Sequence, residues 1–171
     1  MIKSSIRVIC DAGPIIHLDE INCLNLLNDF KEIILPLSVE KEILVHRPSA
    51  ITGSSLIVKQ QTANLEIGEE LRALCQIFLL DAGETEALVL MQNNPASIFL
   101  TDDAAARLVA EQMKIEVHGT IGILLRSIRR GQKKPEEVLQ ILSDIPKISS
   151  LYIKPSLLND ILKWVKQEFE F

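Results

Sequence analysis

Cysteine is scarce in this chain and poorly placed for structural chemistry. Cys10, Cys23 and Cys75 are odd in number and form neither a CxxC pair nor a Cys/His ligand spacing. Neither a disulfide framework nor a zinc ribbon is supported, and the thiols read as small buried hydrophobes. Long apolar runs are missing as well. Stretches such as Ile77–Leu80 fall far short of the ~20 residues that cross a bilayer, and Met1–Ile9 lacks the apolar region of a secretory leader, so a cytoplasmic protein is expected. There is no excess of positive charge: 18 Lys+Arg face 23 Asp+Glu, a formal charge of −5. That balance argues against a protein held to nucleic acid by bulk charge alone. It leaves open an enzyme that engages phosphate through bound metal. No G-x-G-x-x-G follows a strand, which removes a dinucleotide-binding turn. Asp11 is followed by Ala12 and Gly13, so the D-x-D of an aspartyl phosphatase is absent too.

The chain does have a large apolar fraction. Of 171 residues 47% are hydrophobic, and at this length folding buries roughly 70% of the surface that the unfolded chain exposes. One domain over residues 1–171 is expected, with 152–171 as a C-terminal helical segment. Short apolar runs alternate with helical periodicity throughout, which favours α/β architecture. Strands are expected at Ile6–Cys10, Glu32–Leu35, Ser55–Lys59, Ser97–Leu100 and Ile115–His118. Helices are expected over Ile15–Leu27 after a Gly13-Pro14 turn, Val39–Val45 with Ser38 as N-cap, Glu69–Phe78, Glu84–Gln92, from Asp103 to Met113, and from Pro135 to about Leu142. Arg47–Gly53 reads as a loop. In the helix after Gly119-Thr120, Ile121, Leu124, Leu125 and Ile128 share one face. Leu157, Leu158, Ile161, Leu162 and Val165 form a last stripe that closes the core or makes a dimer face.

The acids are the informative residues. In an open parallel sheet, ligands bind outside the carboxyl ends of the strands, near the point where strand order reverses. Asp11 and Asp102-Asp103 follow two such ends, while Glu40 or Glu42 and Glu84 or Glu86 lie at or near helix starts that bring them to the same edge. Each taken alone also fits a helix cap or a dipole partner. Four converging carboxylates repel one another unless cations neutralise them. An oxygen-only donor set suits Mg²⁺ or Mn²⁺ rather than zinc. Such an ion polarises a phosphodiester, and a pair ~3.5–4 Å apart clamps attacking and leaving oxygens. The pattern is that of a nuclease.

Six segments carry a resemblance in the right order: VICDAGPIIHL (8–18), ILPLSVEKEI (34–43), LDAGETEALVL (80–90), IFLTDDAAARLVAE (98–111), HGTIGILLRSIRRG (118–131) and YIKPSLLNDIL (152–162). Together they resemble the PIN-domain superfamily, with its VapC-like ribonuclease fold, and especially the prokaryotic branch of predicted nucleic-acid-binding proteins. The resemblance implies a three-layer α/β/α sandwich around a central five-stranded parallel sheet. It also implies a metal-dependent endoribonuclease, a hydrolase using Mg²⁺ or Mn²⁺, as the toxin of a toxin–antitoxin pair. A catalytically silent RNA- or protein-binding module on the same fold is the alternative. Asp11 matches the first acid of the family. Val39, Glu42 and Ile43 match the V-x-x-E-[LI] pattern of the second, a choice over Glu40 that rests on the resemblance.

Glu84 shares a helix face with Ala87, Leu88 and Met91, which favours it over Glu86 as the third acid, and both are kept as metal ligands. T-x-D puts the fourth acid at Asp103, with Asp102 beside it as a further ligand and Thr101 as hydroxyl support. Catalysis is thus assigned to Asp11, Glu42, Glu84 and Asp103. Many members carry a hydroxyl or amide residue just after the first acid, where this chain has Ala12-Gly13, which implies a looser metal shell. The implied partners are an RNA substrate, a cognate antitoxin and a second copy of the chain.

Arg126, Arg129, Arg130, Lys133 and Lys134 concentrate positive charge and are the candidate RNA contacts, beside the plainer reading of a solvated helix end. Arg107, one turn beyond Asp103, reads as a carboxylate partner. His17, His46 and His118 are scattered and read as satisfied or solvated side chains. The GTIG at 119–122 lacks the lysine of a phosphate-binding loop and reads as a turn that allows close packing.

Overall fold

The computed structural model describes residues 4–52, 58–62, 66–95 and 97–169. Five strands form one sheet: β1 (Arg7–Cys10), β2 (Glu32–Pro36), β3 (Val58–Gln61), β4 (Ser97–Leu100) and β5 (Val117–His118). Their order is β3-β2-β1-β4-β5 and every pairing is parallel. Between strands run α1 (Ala12–Glu20), a 3-10 turn at Leu24–Asp29, α2 (Leu37–His46), α3 (Ser49–Thr52), α4 (Glu69–Ile77), α5 (Ala82–Gln92) and α6 (Ala104–Gln112). After β5 come α7 (Thr120–Arg129), α8 (Pro135–Ile148) and α9 (Pro155–Glu168). None of the described helices is long and apolar enough to cross a membrane.

Three layers follow from the period of a strand, because successive side chains leave a sheet on opposite faces. Val8, Cys10, Ile33, Leu35, Ile98 and Leu100 join one core with residues of α1, α2, α7, α8 and α9. Ile9, Ile34 and Phe99 join the other, under α4, α5 and α6. Strands covered on both faces read as continuous apolar runs, which is why RVIC, EIIL and SIFL lack a polar alternation. Cys10, Cys23 and Cys75 are buried free thiols, and burial pushes all three up from the ordinary thiol range.

Several local expectations are corrected. The helix expected over Ile15–Leu27 is two elements. Gly13 and Pro14 fall inside the first turn of α1, where a proline has no hydrogen bond to lose. The helix then stops at Glu20, and Asn22 takes the left-handed conformation (φ 54°) before the 3-10 turn. Pro36, not Ser38, is the N-cap of α2. The Arg47–Gly53 loop contains α3. Helix α8 continues past Leu142 to Ile148 with Pro146 inside it, because Leu142 and Ile145 remain buried against the core. Of the strand expected at Ser55–Lys59, residues 55–57 lie outside the described set and β3 begins at Val58.

Candidate active site

Strand order reverses between β1 and β4, both of which run out toward the same edge. Asp11 follows β1 and is the N-cap of α1, its carboxylate accepting from the Ala12 N–H at 2.8 Å. The backbone there continues the sheet, with the Asp11 N–H donating to the Leu100 carbonyl. Asp11 is only 7% exposed. Its second oxygen accepts from the buried Thr101 hydroxyl at 3.0 Å, and the Thr101 oxygen accepts in turn from the Asp103 N–H at 3.1 Å. Thr101 therefore ties the two strand ends together. Asp103 is the N-cap of α6, accepting from the Ala106 N–H at 2.8 Å.

Two further elements bring acids to this edge. Asp81 is the N-cap of α5, and it forms a reciprocal capping box with Glu84: each side chain accepts from the other's backbone N–H at 2.9 Å. Glu42 reaches in from α2. A Cβ added at Gly83 would stand 3.4 Å from an Asp81 carboxylate oxygen and 3.7 Å from one of Glu42, so the two acids flank that glycine.

The carboxylates feel one another. Burial pushes Asp11 from the ordinary 3.8 up to about 6, against the Ala12 and Thr101 hydrogen bonds, and Asp81 and Glu42 push it the same way. Burial likewise raises Glu84 to about 7, with Asp81, Asp103 and Asp11 adding to the shift and the Asp81 N–H opposing it. Glu42 is raised by burial first and by Asp81 second, with His46 opposing. Like charges in a half-buried setting favour the protonated form. Thus Asp11, Glu42, Glu84 and Asp103 lie at one edge, and Asp81 joins them.

Asp81 was missed because Asp81-Ala82-Gly83 reads as a break between elements. The D-x-x-E spacing to Glu84 is a capping-box signature and could have found it.

The other candidates stand elsewhere. Glu86 accepts from the Ser38 N–H at 3.1 Å and from the Ser38 hydroxyl, so it satisfies the first turn of α2. Glu40 accepts from Gln60 of β3, which separates it from Glu42. Asp102 is turned toward α1 and α7: it accepts from the Thr120 N–H at 2.7 Å and the Thr120 hydroxyl at 2.6 Å, and it pairs with His17 Nδ1 at 2.8 Å. Gly119 makes this possible, since a Cβ there would lie 2.5 Å from an Asp102 oxygen. Among the described residues Arg107 pairs with no carboxylate. It donates to the Thr101 carbonyl at 3.2 Å.

The basic cluster is divided. Arg126 and Arg130 both pair with the buried Asp29, with Arg126 also stacked over Phe30, while Arg129 lies over the Trp164 ring. Those contacts pin α7 to the 3-10 turn and to α9. Lys133 and Lys134 follow α7, where the Lys134 N–H is capped by Glu137.

This fold agrees with a comparison against family models: the model DUF3368, described as a PIN domain, covers residues 7–167. The chain belongs to this PIN-domain family. No curated protein and no solved structure gives a significant match. PIN domains are in general nucleases that use divalent metal ions, and the acids of this PIN domain supply hard oxygen donors of the kind Mg²⁺ or Mn²⁺ takes. The charge effects that raise Asp11 and Glu84 come from other acids, so a cation is the counter-charge this edge lacks. As they stand, no three His, Cys, Asp or Glu side chains among the described residues are close enough to hold a metal ion. The donors fit in kind, and an ion would have to draw them closer.

Proposed function

We propose that this PIN domain is a metal-dependent endoribonuclease whose site is Asp11, Glu42, Glu84 and Asp103, with Asp81 beside them. What supports the reading is the meeting of these acids at the switch point of the sheet, where the charges that shift Asp11 and Glu84 come from other acids and His46 opposes Asp81 at Glu42. Asp11 and Asp103 are aimed by the helices they cap, and Thr101 holds both at once. Glu84 is aimed by its capping box with Asp81. A divalent ion bound there, Mg²⁺ or Mn²⁺, would polarise the scissile phosphodiester and offset the charge that develops on it. Because Asp11 and Glu84 hold protons more tightly than free carboxylates, these residues must release protons to take a cation.

RNA as substrate and a toxin role with a cognate antitoxin belong to this proposal and rest on the resemblance of the sequence, while a homodimer rests on the apolar stripe of α9 and a cytoplasmic location on the shortness of the apolar runs. RNA contact is assigned to Lys133, Lys134 and the outer face of Arg129, because Arg126 and Arg130 already serve Asp29. Glu86 and Asp102, kept as ligands on the sequence, are reassigned to Ser38 and to the His17–Thr120 pair.

The test is cleavage of a mixed RNA pool with Mn²⁺ or Mg²⁺, using protein separated from any co-purifying partner. Asp11→Asn and Asp103→Asn should each remove nearly all cleavage while the fold persists. The wide spacing of the acids favours a second reading, a silent PIN module. Wild-type protein that binds RNA but cleaves none in Mn²⁺ would establish it.

A further inference from the structure

At the opposite edge of the sheet, where β4 and β5 begin, a cleft of about 470 Å³ opens between the end of α5 and the α6–β5 connection. Its lining includes Met91, Gln92, Ser97, Met113, Lys114 and Ile115. It shares no residue with the acidic edge, since Ser97 starts the strand after whose end Asp103 lies.

Two observations mark it as built to hold something. Ser97 is 4% exposed, and its hydroxyl is the one buried side-chain polar atom without a hydrogen-bond partner among the described residues. Native folds rarely leave such a group unsatisfied, and each one that stays so calls for an explanation. The second is Lys114. It occupies the left-handed position (φ 56°) after α6, in the place that glycine usually takes in this cap, with the Ile115 N–H bonded to the Ala110 carbonyl. A lysine there is held against its backbone preference. Its ammonium has no carboxylate partner among the described residues, and Glu116, whose carboxylate also lines the cleft, is engaged with His118.

The lining chemistry is complementary to one kind of ligand. Met91, Met113 and Ile115 offer soft apolar surface to the face of a planar ring, and thioethers pack well on aromatic edges. Gln92 and Ser97 each carry both a donor and an acceptor, as the edge of a nucleobase requires. Lys114 supplies a cation for a phosphate. The volume lies in the range of small-molecule sites. We infer that this cleft binds a nucleoside monophosphate unit, either free or as the 5′-phosphorylated end of an RNA strand.

The site is independent of the nuclease reading, and its test avoids catalysis. Binding of AMP, UMP and a 5′-phosphorylated dinucleotide to the whole chain is followed by calorimetry and thermal shift in EDTA, which removes cation-mediated phosphate binding at the acidic edge. Saturable binding that weakens with salt is expected. Lys114→Glu, at an exposed position, should abolish it. Ser97→Ala should weaken it about tenfold while leaving the ligand-free melting temperature equal or higher, since an unsatisfied hydroxyl is removed. Binding of the mononucleotides identifies a free nucleotide as the ligand, and binding confined to the dinucleotide identifies a strand end. No saturable binding at millimolar ligand, or an unchanged affinity in Lys114→Glu, overturns the inference.

Discussion

Replacing Asp11 with asparagine should make the metal-free protein more stable at pH 8, although it removes a residue assigned to the site. The carboxyl is 7% exposed, and burial outweighs its two hydrogen bonds, moving it from 3.8 to about 6. A carboxyl whose folded-state value is raised binds its proton more tightly when folded. Its favourable contribution is complete below about pH 3.8 and is lost as the pH rises through about 6. At about 1.4 kcal/mol per pH unit, the ionised group costs up to about 3 kcal/mol above pH 6. Asparagine avoids that cost but accepts through only one oxygen, so either the Ala12 N–H or the Thr101 hydroxyl loses its acceptor. Subtracting about 1 kcal/mol for that bond leaves a gain of about 1–2 kcal/mol at pH 8.

Urea unfolding in EDTA, repeated from pH 5 to pH 8, measures this directly. The wild type should lose stability across the window relative to Asp11→Asn, and the two should converge toward pH 5. Adding Mn²⁺ at pH 8 should reverse the order, because an ion that binds only the folded wild type stabilises it by mass action. An Asp11→Asn protein that is less stable than wild type by the same amount at every pH would refute the reasoning. In that case the carboxylate would act as a simple helix cap.

Three other outcomes follow from specific contacts. Gly119→Ala should lower stability by about 2–3 kcal/mol in urea, because its Cβ would meet an Asp102 oxygen at 2.5 Å and Arg107 Nη2 at 3.0 Å; unchanged unfolding would contradict the packing. Glu84→Gln should weaken Mn²⁺ binding at least tenfold by calorimetry, whereas Glu86→Gln should leave it unchanged and lower the melting temperature modestly by weakening the Ser38 cap; the reverse result would exchange their roles. Asp29→Asn should lower the melting temperature and strengthen RNA binding at low salt, because it releases Arg126 and Arg130; a gel-shift series with no change in affinity would remove those arginines from the RNA account.

The fold was legible because its signal is physical and local. Runs such as IRVIC and SIFL cannot be half-exposed strands, and Asp103 announces the helix that it caps. Other features depend on partners far away in sequence. Nothing around Glu86 shows that Ser38, 48 residues earlier, takes its carboxylate. Nothing around Arg126 and Arg130 shows that Asp29, about a hundred residues before them, turns an apparent RNA patch into internal ion pairs. The Asp102–His17 pair likewise spans 85 residues. Periodicity ranks the faces of a helix but cannot choose among acids on one face. Glu40 and Glu42 are separated only by Gln60 on one side and Asp81 on the other.

The capping role of these acids and their placement in a metal site are parts of one arrangement rather than rival explanations. A carboxylate has two oxygens, and a helix N-terminus needs only one. Asp11, Asp81 and Asp103 each give one oxygen to the N–H of a first turn. That bond fixes the side chain at low entropic cost and leaves the other oxygen directed by the start of the helix. Asp11 is held further by Thr101, and Glu84 by its return bond to the Asp81 N–H. Helix starts also favour negative charge through their dipoles, yet Asp11 and Glu84 remain raised, so burial and mutual repulsion win at this edge. Capping therefore keeps a group of carboxylates in position against their own repulsion. Burial first and that repulsion second make ionised carboxylates unfavourable at this edge, and a divalent ion bound there would offset both.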